Sequence, residues 1–329
     1  METGIRSLRR RWAAPLAALA AWTAAALPVA ATAAQNTITI VVASSPGTGP
    51  DILARTVSQQ WTAKSGTAAV VDNRPGASGN IGADHVARSR PDGSTLLVAA
   101  TTFATNAAVN RTLPYDPVKD FAPIALLGTG TLALAVPPSF PAETLKQFVA
   151  KAKAAPGTIN YGSPGNGTPQ HLAMELFKQE AHIDLFHVPF KSAGGAVNDL
   201  AGGHVSAMIV PLHTIQPLVQ GGKLRVLAVM SAQRAPSLPQ VPTFREEGYD
   251  QVQVDVWYGL LAPAGTPDAV VRKLNAEANE ALKNKDVVAS LAKVGIEPAG
   301  GAPARMADAL ALELKRWPPV VRAANITAD

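Results

Sequence analysis

What most restricts the fold of this chain is an alternation. Short β-branched or apolar runs are each followed by a loop and then by residues at helical spacing. Residues 37–42 (Thr-Ile-Thr-Ile-Val-Val) read as a buried strand. Leu53, Val57 and Trp61 then recur at every fourth position, marking one helix face, and Gly66 closes that helix. Further strands are expected at 69–71, 95–99, 132–136, 159–161, 185–189, 205–210, 224–230 and 252–261. Helices are expected at 81–88, around 145–152, after Thr168, near 193–201 and 214–220, after Pro267, and near 302–324, where Pro318-Pro319 must break or kink the last one. The alternation implies the α/β class with a mainly parallel sheet. Such sheets hold ligands beyond the carboxyl ends of their strands.

Three of the connecting loops carry glycine at that position. They read Ser-Ser-Pro-Gly-Thr-Gly-Pro-Asp at 44–51, Asn-Arg-Pro-Gly-Ala-Ser-Gly-Asn at 73–80, and Gly-Ser-Pro-Gly-Asn-Gly-Thr at 162–168. A helix N-terminus offers unpaired N–H groups and the positive end of the helix dipole, and glycine lets a ligand approach that backbone. Several such loops facing one cleft can hold a small anion without a catalytic side chain. The plainer reading of the same glycines and prolines is punctuation of an α/β fold. Asp51, in the first helical turn, is read as structural, because facing the cleft it would repel an anion. His171, three residues after Thr168, either bonds a ligand carboxylate or braces its loop.

Composition removes several function classes. Arg6, Arg9, Arg10 and Arg11 precede an uncharged Ala-rich stretch that ends in small residues, so residues 1–34 are expected to be a signal peptide cleaved near Ala33 or Ala34. An uncleaved anchor is the rival reading, and the arginine run leaves twin-arginine export beside the general route. The whole chain carries +5, and four arginines and one glutamate of that balance lie in residues 1–34, so the rest keeps about +2. With 5% aromatic residues, this argues against a nucleic-acid partner. There is no cysteine, hence no disulfide and no thiol-linked lipid, and a periplasmic location is expected. About 295 remaining residues suit two lobes.

No chemistry-bearing motif is complete. His182 and His187 stand five apart, there is no H-E-x-x-H, and no metal is expected. There is no G-x-S-x-G elbow and no P-loop, and Gly47-Thr48-Gly49 does not complete a dinucleotide fingerprint. A spatial Ser-His-Asp arrangement stays open as the minority reading.

Longer ordered segments carry a resemblance. They are residues 73–82 (Asn-Arg-Pro-Gly-Ala-Ser-Gly-Asn-Ile-Gly), 113–123 (Leu-Pro-Tyr-Asp-Pro-Val-Lys-Asp-Phe-Ala-Pro), 160–172, 187–191, 224–229 and 257–267. Together they resemble the Bug-family solute-binding proteins, the extracytoplasmic receptors of tripartite tricarboxylate transporters, over essentially all of the chain after residue 34. The resemblance implies an α/β periplasmic-binding-protein fold of type II, two doubly wound lobes joined by a hinge. The expected lobes are 35–137 with 256–329, and 138–255. It implies a monomeric receptor for a small organic carboxylate, with no cofactor and no catalytic residue, that docks on membrane transporter subunits. A receptor for a membrane sensor kinase and a cleft hydrolase using Ser163 or His171 are the alternatives. Carried onto this chain, the expected ligand-binding residues are Ser44, Pro46, Gly47, Thr48 and Gly49; Thr101, Thr102 and Phe103; Ser163, Asn166, Gly167, Thr168 and His171; and Pro189, Phe190 and Val210.

The chain departs from the family pattern at the first loop, at Phe103 where relatives often have histidine, and at Ser206 and Val210 where relatives often have aspartate. Without those carboxylates, amino-acid ligands are expected to be disfavoured. Phe103, Phe190 and Val210 would then favour a dicarboxylate or an aromatic acid, unless they belong to the core.

Overall fold

Strand β1 (Ile38–Val42) opens into α1 (Gly49–Ser65), followed by β2 (Ala69–Asn73), α2 (Asn80–Ala87), β3 (Thr95–Ala100) and α3 (Thr102–Val109). The long β4 (Phe121–Val136) leads to α4 (Leu145–Ala154), β5 (Asn160–Ser163), α5 (Pro169–Ala181), β6 (Phe186–Pro189), α6 (Ala193–Ala201), β7 (Ala207–Pro211), α7 (Leu212–Gln220) and β8 (Arg225–Val229). The chain continues through β9 (Asp255–Pro263), α8 (Asp268–Leu282), α9 (Lys285–Lys293), β10 (Glu297–Pro298) and α10 (Pro303–Ala323). This computed structural model describes residues 37–110 and 112–327; the expected signal segment, residues 1–34, lies outside them. Among the described residues no helix is long and apolar enough to cross a membrane.

The strands form a sheet in the order β2-β1-β3-β9-β4-β7-β5-β6, with β8 and β10 also on β4. β1 is parallel to β2 and β3, and β5 is parallel to β6 and β7. The two parallel groups are joined by antiparallel strands, so the sheet is mixed. β9 runs against β3 and β4, and β4 runs against β7 and β8. Residues 121–131 of β4 pair with β9, whereas 132–136 pair with β7 and β8. One strand therefore serves both halves of the sheet.

The helix faces expected from spacing are the buried ones. Leu53, Val57 and Trp61 of α1 join Ile40, Val42 and Leu96 in one core cluster. Burying each such side chain is worth about 1.5–3 kcal/mol. Leu172 and Leu176 of α5 join Phe148, Tyr161 and Phe177 in another. Met306 and Leu310 of α10 pack with Phe103 and Trp257, while Trp317, Val320 and Val321 of the same helix pack with Phe177 and Leu172. Of the break or kink expected at Pro318-Pro319, the break does not occur: α10 runs from residue 303 to 323. Burial of Trp317, Val320 and Val321 on either side of the prolines offsets the lost backbone bonds.

α3, the first half of β4, α9 and β10 were not foreseen. α3 buries Phe103, Ala104, Thr105, Asn106 and Val109, so it shows no polar face to give it a period. Gly128 and Gly130 weaken the strand signal in the first half of β4. They are needed there because a Cβ at Gly128 would stand 2.6 Å from Ile296 Cγ2.

Candidate functional site

At the end of β1 the loop turns through Gly47 at φ +80°, a conformation that costs an L-residue about 1–2 kcal/mol. Thr48 is the N-cap of α1, but its side chain does not cap the helix. Its hydroxyl donates to Ser45 O at 2.8 Å and pairs with Ser44 Oγ at 2.8 Å. Pro50 brings no N–H to the first turn, but with no capping bond from Thr48 the other first-turn N–H groups and the positive end of the helix dipole are left uncapped. Asp51 turns inward. It accepts from Gly47 N (2.9 Å), Asn73 Nδ2 (2.9 Å) and Arg55 Nε (3.1 Å). Burial alone would raise its pKa; the hydrogen bonds from Arg55, Gly47 and Asn73 outweigh that and hold it below the usual carboxylate range. Asn73 also donates to Ser44 O at 3.1 Å, which ties the second glycine loop to the first. The second loop itself serves packing. Gly82 lies where a Cβ would be 3.0 Å from Ala43 Cα, and Asn80 Oδ1 accepts from Tyr115 Oη and Asn106 Nδ2.

The loop after β5 is built differently. Thr168 accepts from His171 N at 3.4 Å and so caps α5 with its own side chain. Gly165 N donates to Ser163 Oγ (3.2 Å), and Gly167 N donates to His171 Nδ1 (3.1 Å). His171 is 4% exposed, and through Nδ1 it braces its loop. Its ring stacks on His187 at 3.8 Å, and His187 stacks on Tyr161 at 4.8 Å. His187 Nε2 pairs with Ser163 Oγ at 2.7 Å. Beneath the stack, Tyr161 donates its hydroxyl to Glu175, which also binds Lys178 Nζ at 2.8 Å. Burial, then the charge of Lys178, pushes His171 down to about 4. Burial, then His171, pushes His187 down to about 4 as well. Both rings are therefore neutral at neutral pH.

The remaining expected residues divide into two kinds. Thr101 Oγ1 accepts from Trp257 N at 2.9 Å, joining the end of β3 to β9. Thr102 and Phe103 line a small cavity with Ser78, Gly79 and Asn106, and the Phe103 ring stacks on Tyr115 at 5.4 Å. Pro46 and Gly47 are exposed, as are Asn166 and Pro189. Phe190 is half-buried against Gly162, and its amide donates to Ser163 O. Val210 belongs to the core beside Met208 and Val226, so it does not shape a ligand surface. Phe103 likewise sits in an aromatic cluster with Tyr115 and Phe121. The first loop, the Asn73 loop and the end of β3 thus form one cluster; the third loop, α5 and the end of β6 form a second. Val109 of α3 meets the third loop at Gly167, where a Cβ would stand 2.9 Å from Val109 Cγ1.

Sequence reasoning missed the ring stack beneath the third loop and the Asn73 tie. The His187 segment was visible as a motif, but only folding sets it under residue 171. Glu175 stands four residues after His171, a spacing that places both on one helix face. Among the described residues no group of three or more His, Asp or Glu could hold a metal ion.

The family described as "Tripartite tricarboxylate transporter family receptor" matches residues 53–326. The chain is 37% identical over 293 residues to the "UPF0065 protein in tcbD-tcbE intergenic region" of Pseudomonas sp. (strain P51), covering 89% of this chain and 87% of that one. It is 34% identical over 300 residues to "Protein BugT" of Bordetella pertussis, covering 90% and 92%. Among solved structures it is similar to R. palustris Rpa4515 with adipate (TM-score 0.76, 34% identity, 88% of this chain and 98% of that one). It is also similar to MatC (Rpa3494) from Rhodopseudomonas palustris with bound malate (TM-score 0.73, 32% identity, 87% and 98%).

Proposed function

The chain belongs to the tripartite tricarboxylate transporter receptor family of periplasmic solute-binding proteins, and from that premise we propose that it captures a small dicarboxylate and delivers it to the membrane subunits of such a transporter. The observation that carries the reading is the open first turn of α1, which no side chain caps, beside a loop held in shape by Asp51 and Asn73. An anion suits that end of a helix. Gly47 and Gly167 already donate their amides to Asp51 and His171, so their part is conformational: both hold positive φ. The similar structures with adipate and with bound malate support a dicarboxylate. The apolar argument for an aromatic acid loses Phe103 and Val210, which are packed in the core.

On this reading the two lobes are those expected from sequence, 35–137 with 256–329, and 138–255, except that residues 132–136 of β4 go with the second, since they pair with β7 and β8. The last turns of α10 anchor on the core of the second lobe. Closure follows a ligand's differential affinity for the closed state. Ser163 is wholly buried, so its hydroxyl is not presented to a substrate as a nucleophile.

A thermal-shift screen across dicarboxylates, benzoate-type acids and amino acids, followed by calorimetry, tests the proposal. Stabilisation by dicarboxylates, reduced in Gly47→Val and Gly167→Val, is the expected result. Tight aspartate or glutamate binding without a response to amine-free acids refutes it.

A further inference from the structure

Tyr258 lies in β9, paired with Ala100 of β3 and Gly128 of β4. Its ring is in the core with Leu53, Ile40 and Leu260, and the residue is 7% exposed. Each of the core tyrosines 115 and 161 donates its hydroxyl to a side chain, to Asn80 and Glu175. A tyrosine whose ring lies in the core ordinarily finds such a partner. The Tyr258 hydroxyl has none among the described residues, and burial is the sole influence on its acidity, pushing it up to about 12. It therefore keeps its proton and can donate at any pH the protein meets.

The hydroxyl lies at one particular place. A Cβ at Gly49 would be 2.7 Å from its oxygen. Gly49 is the first residue of α1, a helix of 17 residues whose N-cap side chain makes no capping bond. The absence of a side chain at Gly49 leaves the phenol uncovered, and the two unmet donors, helix end and phenol, meet there.

We propose that the Tyr258 hydroxyl is a ligand-binding group that donates, together with the first-turn amides of α1, to one carboxylate oxygen of the bound acid. The inference rests on the carboxylate reading and adds to it a side chain from β9, the strand between β3 and β4. It assigns Gly49 the role of leaving room for that bond. A positive φ is not its reason, because Gly49 is not among the residues that have one.

The test uses the full chain, calorimetry with adipate and malate and with whichever acid the screen favours, and urea unfolding of each variant. Tyr258→Phe removes only the oxygen. Its affinity should fall about 10- to 100-fold, the range expected for a hydrogen bond to a charged group, while the unfolding midpoint is unchanged or higher. Gly49→Ala keeps the phenol but sets a methyl against it, and should also weaken binding. Tyr258→Phe with wild-type affinity overturns this inference alone, and so does a loss of affinity matched by an equal loss of stability in both variants. No heat from the wild-type chain with any acid overturns the carboxylate reading and this inference with it.

Discussion

Acidification from pH 6.5 to 4 should weaken the folded chain through the two stacked histidines under the third glycine loop. His171 and His187 are each held near 4, chiefly by burial, and return to about 6.5 when the chain unfolds. Between those values the unfolded chain binds more protons, so stability is complete above pH 6.5 and drains away as pH falls towards 4. Each histidine adds a slope of about 1.4 kcal/mol per pH unit, and His171 over the whole window about 3 kcal/mol. His187 contributes less, because it is only half-buried and solvent screens it. Asp255 acts in the opposite sense. Burial, then Glu297, pushes it up to about 6, so it favours the folded state on the acid side. The informative quantity is therefore a difference between variants. His171→Asn keeps an acceptor for the Gly167 amide, and His187→Gln keeps a polar atom facing Ser163 Oγ. Urea unfolding at half-unit steps from pH 7 to 4 should show the wild-type free energy falling more steeply than that of either variant. The His171 line should be flatter by about 1 kcal/mol per pH unit. Parallel lines for the wild type and the double variant would show that burial does not hold these rings neutral.

Three further outcomes are expected. Asn73→Ala removes donors from buried Asp51 and from Ser44 O, and should cost about 1–3 kcal/mol in denaturant unfolding while weakening ligand binding; an unchanged midpoint contradicts the tie. Gly167→Ala must hold φ +67° with a methyl against Val109, so a loss of about 1–2 kcal/mol is expected, with Val109→Ala relieving part of it in the double variant. Trp317→Ala empties a fully buried site and removes the indole N–H that Glu313 accepts; about 3–5 kcal/mol should be lost, measured as a fall in the urea midpoint.

Much of the architecture could be read along the chain because its signals are local. The spacing of Leu53, Val57 and Trp61 marks a helix face whatever it packs on, and those residues are buried as expected. The glycines at 47, 165 and 167 announce loops that need positive φ, and each has it. The placing of those loops after β1 and β5 followed from the same alternation. What the chain does not display is which donors remain free after folding. The structural reading of Asp51 rests on its own repulsion of anions, and Arg55 is a local partner four residues on in the same helix, but Asn73 is set beside Asp51 only when β2 is laid against β1. His171 and His187 are sixteen residues apart, and whether either nitrogen faces a ligand depends on the stack that sets one ring 3.8 Å from the other. Val210 and Phe190 look alike as apolar residues at strand ends; burial puts the first in the core and leaves the second at its edge. Backbone preference and hydrophobic spacing are properties of neighbouring residues, so sequence alone determined the α/β alternation and the loop positions. Hydrogen-bond satisfaction and desolvation depend on distant segments brought within a few ångströms, and only the tertiary structure could decide that the Tyr258 hydroxyl comes to the start of α1 and that the His187 ring covers His171.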